Sequence, residues 1–555
     1  MTSPRPWTLR AAGLAIAALT AALMLATEPR LAIVWDEGYT LGREARLRAW
    51  FSALRDPPGF ASRWQPPTEE LVQRVPGDAP PPRSDQIDTR SKLLTDRAVL
   101  AWFWPFAREE PHGHPPFYAL VGLAGDVLAP SWPALPRARL GPILAFSLAA
   151  GVLFVFVATR WGAWAGALAA GAWVLQPHLF AHGHYATYDA LLSALWITSI
   201  VAFARAVEPS ERPRWPRWGV AVAFGMVAGC AADTKLTGWL LPLPFLVWTV
   251  LYRDRRGLIT LLAGGLVGLS VLYLLNPPWW AEPLGGVARF LHSNLNRAKS
   301  INIKTLFLGI VYETPRGSLP WYNTLVWTVF VTPVGFLALA LAGLARALRR
   351  RTSEPLGVLV VGHWTFLLLL RSLPHTPGHD GVRQFLPAFG VLAVLAGMGA
   401  ASAVARFGRW GQALVVAALI EGAISVALML PVPLAYYSPI VGGPPGASRL
   451  GMEPTYYWDA LTDDALDWLN DHTAEGQKVL FATGPTSWRY LRQTGRLRPQ
   501  FLPPGPFAWY VLQNRPGSFS RLDQALAARG RPAYVVRKWG VPLVWVFPTS
   551  ELEKP

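Results

Sequence analysis

The chain has 555 residues, 52% of them hydrophobic and only 15% charged, where a soluble protein carries about 25% charge. That balance, with a positive mean hydropathy, excludes a soluble domain and describes a membrane protein. The net charge of +17 does not mark a nucleic-acid binder, because the arginines fall between apolar runs rather than on a polar stripe or an aromatic-basic platform. The single cysteine, Cys230, excludes an intramolecular disulfide.

Apolar segments of spanning length lie at 11–34, 141–158, 162–179, 188–206, 218–233, 236–252, 258–275, 321–344, 356–371, 384–404 and 411–431. They predict about eleven transmembrane helices. The first is preceded by Arg5 and Arg10, as in a cleavable signal peptide, but no small-x-small cleavage site precedes "IVWDEGYTL", and the segment is read as a retained helix. Every second connection is arginine-rich: Arg160, Arg212 to Arg217, Arg253 to Arg256, Arg346 to Arg351, and Arg406 with Arg409. The positive-inside rule makes these cytoplasmic, together with the N-terminus. The alternate connections are then extracytoplasmic: a long loop at 35–140, turns near 180–187 and 234–235, loops at 276–320 and 372–383, and the tail. Within the first loop the Pro-rich stretch 57–83 predicts an irregular or polyproline segment. The membrane part is assigned to 1–434. From 435 to 555 the pattern changes, with a helix-like "DDALDWLNDH" and strand-like "KVLFATG", "PAYVVRKW" and "PLVWVFP" between Pro and Gly punctuation, which predicts a small extracytoplasmic α/β domain.

The polar residues of the extracytoplasmic connections carry the chemistry. Asp36 and Glu37 follow the first apolar run, where carboxylates are costly unless they face a water-filled cavity or a partner. His112 and His114 end the first loop, immediately before a Pro-Pro break, but two histidines hold no metal by themselves. His178, His182, His184 and Asp189 meet at one turn, which leaves a divalent metal open. Lys235, beside Asp233, sits between two apolar runs, either snorkelling to headgroups or meeting an anion. Arg371, His375, His379, Asp380 and Arg383 share one loop. Taken singly, these are helix-end carboxylates, interfacial histidines and snorkelling cations. Together on one side they point to one outward-facing site, with carboxylates for a base or metal and cations for an anion, suited to a lipid-linked phosphate substrate.

The order of these residues resembles bacterial members of the protein O-mannosyltransferase superfamily, the GT-C-fold glycosyltransferases that include the aminoarabinose transferase of lipid A. The resemblance covers roughly 30–460. It rests on Asp36-Glu37, "HPPFY" (114–118), Arg139-Leu140, Asp189, "KLTGWLLPLP" (235–244), "SLPWY", "HDGVRQFLP" and "YYSPIVGGPPGA" with the nearby "YYW". It implies an inverting glycosyltransferase that moves a sugar from a polyprenyl-phosphate carrier to a protein, lipid or glycan acceptor outside the cytoplasm of a bacterial inner membrane. It further implies Asp36 as general base, with a pKa raised by partial burial, Glu37 orienting the acceptor or assisting with a metal, and Asp189 in the same region. Lys235, Arg139, Arg371 and Arg383 become phosphate candidates, with His184 and Asp380 as further substrate-binding candidates. Many relatives have Lys-Pro-Pro where this chain has His114-Pro115-Pro116, so that phosphate contact passes to His114 or is lost. No cofactor is implied, and metal use stays open. The rival readings are a multi-pass transporter or lipid flippase, against which stand the lack of two related halves and of mid-span charge pairs, and a non-catalytic envelope anchor.

Overall fold

In lipid every backbone N–H and C=O must be bonded within the protein, so long apolar runs become helices. The computed structural model describes residues 6–66, 79–106, 114–208, 215–296, 303–313, 317–374, 376, 381–500 and 506–552. Among them, seven helices are long and apolar enough to cross a membrane, and shorter apolar helices at Ala163–Val174, Trp218–Ala232 and Leu236–Tyr252 fill expected positions between them. The chain is a multi-pass helical membrane protein with a small sheet region near its C-terminus.

Two expected spans are interrupted, each for a visible reason. The segment 321–344 is two helices, Asn323–Val331 and Val334–Arg349, because Pro333 cannot continue the first. The exposed N–H groups of Val334 and Gly335 are accepted by the Glu421 carboxylate at 2.6 and 2.7 Å, a mid-span acid that acts as a cap supplied by a neighbouring helix. The segment 162–179 stops at Val174. A polar helix, Pro177–His184, then starts under a cap from Gln176, whose Oε1 accepts the Leu179 N–H at 2.6 Å.

The N-terminal helix α1 (Pro6–Thr27) ends earlier than the expected 34. A 3-10 turn over Glu28–Arg30 and an extended stretch to Val34 follow, and α2 (Trp35–Arg55) begins at once. Asp36 and Glu37 therefore lie in the first turn of a new helix, where their charge complements the helix dipole. The long loop is largely helical, and the expected irregular stretch begins instead as the helix Pro57–Arg63, capped by Asp56. Residues 67–78 of that stretch lie outside the described residues. The loop has its own aromatic core, with Trp50, Trp102, Phe103, Trp104 and Tyr118 all buried.

Further along are α3 (Ala134–Trp161), α4 (Pro177–His184) and α5 (Tyr188–Ala206). On α3, Arg139 and Arg160 lie about 30 Å apart at roughly 1.5 Å per residue, the thickness of a hydrocarbon core. At the Arg160 end, Arg160 and Arg217 pair with Glu208, and Arg346 pairs with Glu354 at 2.8 Å. The Trp161 indole donates to that same Glu354 at 3.3 Å. The other end collects the residues described below.

The loop before 320 forms an antiparallel hairpin, β1 (Lys304–Phe307) and β2 (Ile310–Glu313). Its turn residues Leu308 and Gly309 both have positive φ, as a tight hairpin requires. In the tail, β3 (Lys478–Phe481), β4 (Phe507–Gln513), β5 (Tyr534–Lys538) and β6 (Val541–Pro548) form one sheet in the order β3-β4-β6-β5. Only β3 and β4 run parallel. The helix expected from "DDALDWLNDH" is present over Asp463–His472. Strands β3, β5 and β6 match expectation, whereas β4 was not anticipated.

The helices Val334–Arg349 and Pro387–Phe407 approach closely through glycine. A Cβ on Gly343 would lie 1.8 Å from the Leu395 carbonyl oxygen, and one on Gly399 1.8 Å from that of Leu339; small residues permit such contacts in membranes. Gly343→Leu and Gly399→Leu are expected to lower the thermal unfolding midpoint in detergent, by overpacking worth about 1–3 kcal/mol or more. Gly362→Leu, facing open space, is expected to leave it unchanged.

Candidate active site

Pro29 follows the end of α1, and the reversal it starts brings Glu37 against α3. Both Glu37 oxygens accept from Arg139, Nε to Oε1 and Nη2 to Oε2, each at 2.7 Å. Glu37 also accepts the backbone N–H groups of Val34 at 3.0 Å and Ala186 at 2.9 Å. The remaining donors of Arg139 reach Glu28 Oε1 at 2.9 Å and the carbonyl oxygens of Leu31 and Ala32 at 3.1 and 2.8 Å. Five donors are all a guanidinium has. Arg139 therefore offers no N–H to a phosphate in this arrangement, and Glu37, fully buried, offers no free oxygen to an acceptor. The pair expected to touch substrate forms the frame instead.

Asp36 points elsewhere. Its Oδ2 accepts from the Tyr188 hydroxyl at 2.5 Å and from Arg383 Nη2. Arg383 Nη2 also donates to the Tyr188 oxygen at 2.7 Å, and its Nε donates to Asp189 Oδ2 at 3.2 Å. Asp189 Oδ1 accepts from Lys235 Nζ at 2.7 Å. Two carboxylates and two cations thus alternate as Asp36, Arg383, Asp189, Lys235, drawn from α2, α5 and two loops that are far apart in sequence. Asp189 has no side-chain exposure, while Asp36 keeps 15%; of the two carboxylates, Asp36 is the more exposed.

Aromatic rings wall the chain of charges. Lys235 Nζ lies 5.0 Å from the Tyr188 ring centre, and the Arg383 guanidinium 4.3 Å from that of Tyr457. The His114 ring packs on Tyr188 with 3.8 Å between centres. Tyr457 and Trp458 hold φ of 75° and 64°, a conformation that costs a bulky residue energy and persists where surrounding structure enforces it. The Tyr457 carbonyl accepts the Trp35 N–H at 2.9 Å, so the tail segment is tied to the start of α2. Next to Lys235, Asp233 accepts from Asn276 and through its carbonyl from the Phe117 N–H at 3.0 Å, which fixes the "HPPFY" segment beside the lysine.

Burial alone would raise the Asp36 carboxyl, but the Arg383 charge, with the Tyr188 and Tyr457 hydroxyls alongside, holds it below the usual carboxylate range. This reverses the raised pKa expected from the sequence.

Not every candidate joins the cluster. His184 lies behind it, with Nδ1 2.7 Å from the Phe180 carbonyl oxygen and Nε2 2.9 Å from Thr27 Oγ1, so it ties α4 to α1. His178 bridges to the Tyr436 carbonyl at 3.1 Å and the Tyr456 hydroxyl at 3.2 Å. Arg371 closes the helix Pro355–Ser372. Asp380 lies outside the described residues, as do His112, His375 and His379. His178 and His184 are thus bonded to different elements, and among the described residues no group of three or more His, Cys, Asp or Glu is arranged for a metal. Tyr188 and Tyr457 were not anticipated, although each lies inside a stretch already singled out, one beside Asp189 and one in "YYW".

Residues 114–280 match the family model described as dolichyl-phosphate-mannose-protein mannosyltransferase. The superfamily resemblance carried by the motifs is thereby borne out over a segment that holds His114, Arg139, Asp189 and Lys235. No curated protein matches the chain. Among solved structures, ArnT from Cupriavidus metallidurans in the apo state aligns over 98% of this chain and 98% of its own, with 16% identity and a TM-score of 0.49. The same protein bound to undecaprenyl phosphate aligns over 98% and 99%, with 15% identity and a TM-score of 0.48. The archaeal oligosaccharyltransferase AglB from Archaeoglobus fulgidus, in complex with an inhibitory peptide and a dolichol-phosphate, aligns over 94% and 71%, with 11% identity and a TM-score of 0.46.

If Glu37 and Arg139 are frame rather than chemistry, removing one partner strands a buried charge at a cost of about 3–5 kcal/mol. Arg139→Met is expected to lower the thermal midpoint in detergent sharply, and Glu37→Met added to it is expected to restore part of the loss. Equal melting of wild type and Arg139→Met would refute the frame role.

Proposed function

We propose that the chain is an inverting glycosyltransferase that moves a sugar from a polyprenyl-phosphate carrier to an acceptor on the extracytoplasmic side of a bacterial inner membrane. The observation that carries this reading is the alternating chain Asp36, Arg383, Asp189, Lys235, in which Asp36 is the more exposed of the two carboxylates. The matched family's description supplies the donor chemistry, a lipid phosphate bearing a sugar. The arginine-rich connections supply the orientation, with the Arg160 end cytoplasmic and the charge cluster outside.

An acceptor oxygen attacks C1 of the sugar on the face opposite the phosphate. The new C1–O bond forms as the C1–O bond to phosphate breaks, and the electron pair departs on the phosphate. The acceptor proton passes to Asp36, the more exposed carboxylate. The leaving phosphate gains negative charge, which Arg383 and Lys235 stabilise from fixed positions. With no ligand, those cations are neutralised by Asp36 and Asp189. An arriving phosphate competes for Arg383, which loosens the hold on Asp36 and lets burial raise its basicity at the moment a base is needed. His114 borders this anion position across Tyr188, taking the place of the lysine found in many relatives.

Transfer of label from a panel of polyprenyl-phosphate sugars, in membranes carrying wild type or Asp36→Asn at equal expression, tests the reading. Loss of a general base is expected to slow transfer by about 10²–10⁴-fold, whereas a wild type that transfers nothing from any carrier would overturn it. The pH profile gives a second test. Asp36 must be ionised, and its pKa lies below the ordinary value of about 3.9, so wild-type kcat/KM is expected to show no Asp36-linked fall until the pH drops below that value. Arg383→Gln removes the lowering charge and leaves burial, so the acid limb is expected to move up by about a unit or more. An unmoved limb would show that Asp36 is not the group being titrated.

A further inference from the structure

Behind the charge cluster, buried polar atoms without a protein partner gather between α4, the turn that follows it and the tail segment 455–459. Both ring nitrogens of His182, the Tyr185 hydroxyl and Asp459 Oδ2 make no hydrogen bond. All three side chains are at most 1% exposed. The His182 ring lies 5.9 Å from that of Tyr185 and 6.0 Å from that of Tyr457, and Asp459 is close enough to act on Tyr185 electrostatically. Tyr185 is held in place by Arg139, whose guanidinium carbon lies 5.5 Å from the ring centre. Asp459 is oriented by Thr455, whose hydroxyl donates to Oδ1 at 2.9 Å and leaves Oδ2 open.

Buried polar groups in native proteins are nearly always paired, and several orphans in one place call for an explanation. Helix packing does not provide it, since these residues come from two segments, the end of α4 and the tail, that already have other contacts. A ligand does. The charge character of the group says which kind: burial drives His182 down to about 3 and Asp459 up to about 7, so the cluster is largely uncharged below neutral pH and offers hydrogen bonds without a formal charge. That suits hydroxyl groups and does not suit the phosphate, which has Arg383 and Lys235 beside it; both cations and Asp189 are near enough to His182 to act on it.

We infer that His182, Tyr185 and Asp459 bind the hydroxyl groups of the sugar carried by the donor, next to the phosphate position at Arg383 and Lys235. The inference rests on the donor reading proposed above and assigns to these three residues the recognition of the transferred group. Binding pairs their orphaned atoms, so a carrier lacking the sugar leaves them unpaired and binds less well.

The test uses the full-length protein in detergent and two kinds of probe: bare polyprenyl phosphate, and polyprenyl phosphate bearing mannose, glucose, arabinose or 4-aminoarabinose. Wild type is expected to bind at least one sugar-bearing carrier tighter than the bare one, by on the order of ten-fold. Tyr185→Phe, which keeps the ring and its packing, and His182→Phe are each expected to erase most of that preference while leaving affinity for the bare carrier unchanged. The inference is overturned if both variants keep the wild-type preference, or if they lose affinity for bare and sugar-bearing carriers alike, as damage to packing would produce. A wild type that binds bare carrier but prefers no sugar-bearing one also overturns it and leaves the donor-phosphate reading standing. A wild type that binds no polyprenyl phosphate at all removes the donor reading and this inference together.

Discussion

The arrangement depends on one buried guanidinium. Arg139 takes both oxygens of Glu37, one oxygen of Glu28 and two backbone carbonyls from the stretch between them. Those acceptors run from the 3-10 turn after α1 to the first turn of α2, across an extended stretch whose irregular backbone needs partners within the protein. By bonding every one of them to α3, Arg139 sets where α2 begins and which way its first turn faces. Asp36 precedes Glu37 by one residue, about 100° round the helix. Fixing Glu37 toward α3 therefore fixes Asp36 toward α5 and the loop at 383. The adjacent carboxylates divide the work: one holds the backbone, and the other is left for a partner that can be exchanged.

Exchange is what the second group of charges allows. In the cluster each cation faces a carboxylate, and Arg383 is shared between two. Groups so deeply buried are tolerable only when neutralised, and the pairing does that without a ligand. A phosphate entering near Arg383 and Lys235 adds an anion to a balanced set, so one carboxylate must weaken its bond. Asp189, enclosed and held by Lys235 as well, is the less able to let go. Asp36, the more exposed, is the more able. On the proposed reading, the low basicity of Asp36 in the resting cluster and its role as base belong to two stages of one cycle. The strained backbone at Tyr457 and Trp458 fits the same picture, because it keeps an aromatic face on Arg383 whichever anion the guanidinium serves.

Much of this was legible in the chain. The apolar runs gave the helices, because in lipid the backbone has little alternative, and the side on which polar residues gather pointed to Asp36, Asp189, Lys235 and Arg383. The structure brings those four into one hydrogen-bonded set. What escaped was what depends on partners distant in sequence. The roles of Glu37 and Arg139 follow from their bonding to each other across the fold, which no local pattern reveals. Pro333 signalled a break, but its cap, Glu421, lies on another helix. The Pro-rich stretch 57–83 looked irregular, yet it begins as the helix Pro57–Arg63, and the tryptophans and phenylalanines of the long first loop build a core among short helices. Tyr457 escaped because its place in the site depends on the tail folding back onto α2. Strand β4 escaped because its neighbours in sequence are rich in proline.

The most direct measurement is a structure with polyprenyl phosphate bound. The account requires the phosphate to contact Arg383 and Lys235, with Asp36 released from Arg383 while Glu37 and Arg139 stay joined. A phosphate seated elsewhere, with Arg383 still bridging Asp36 and Asp189, would contradict it.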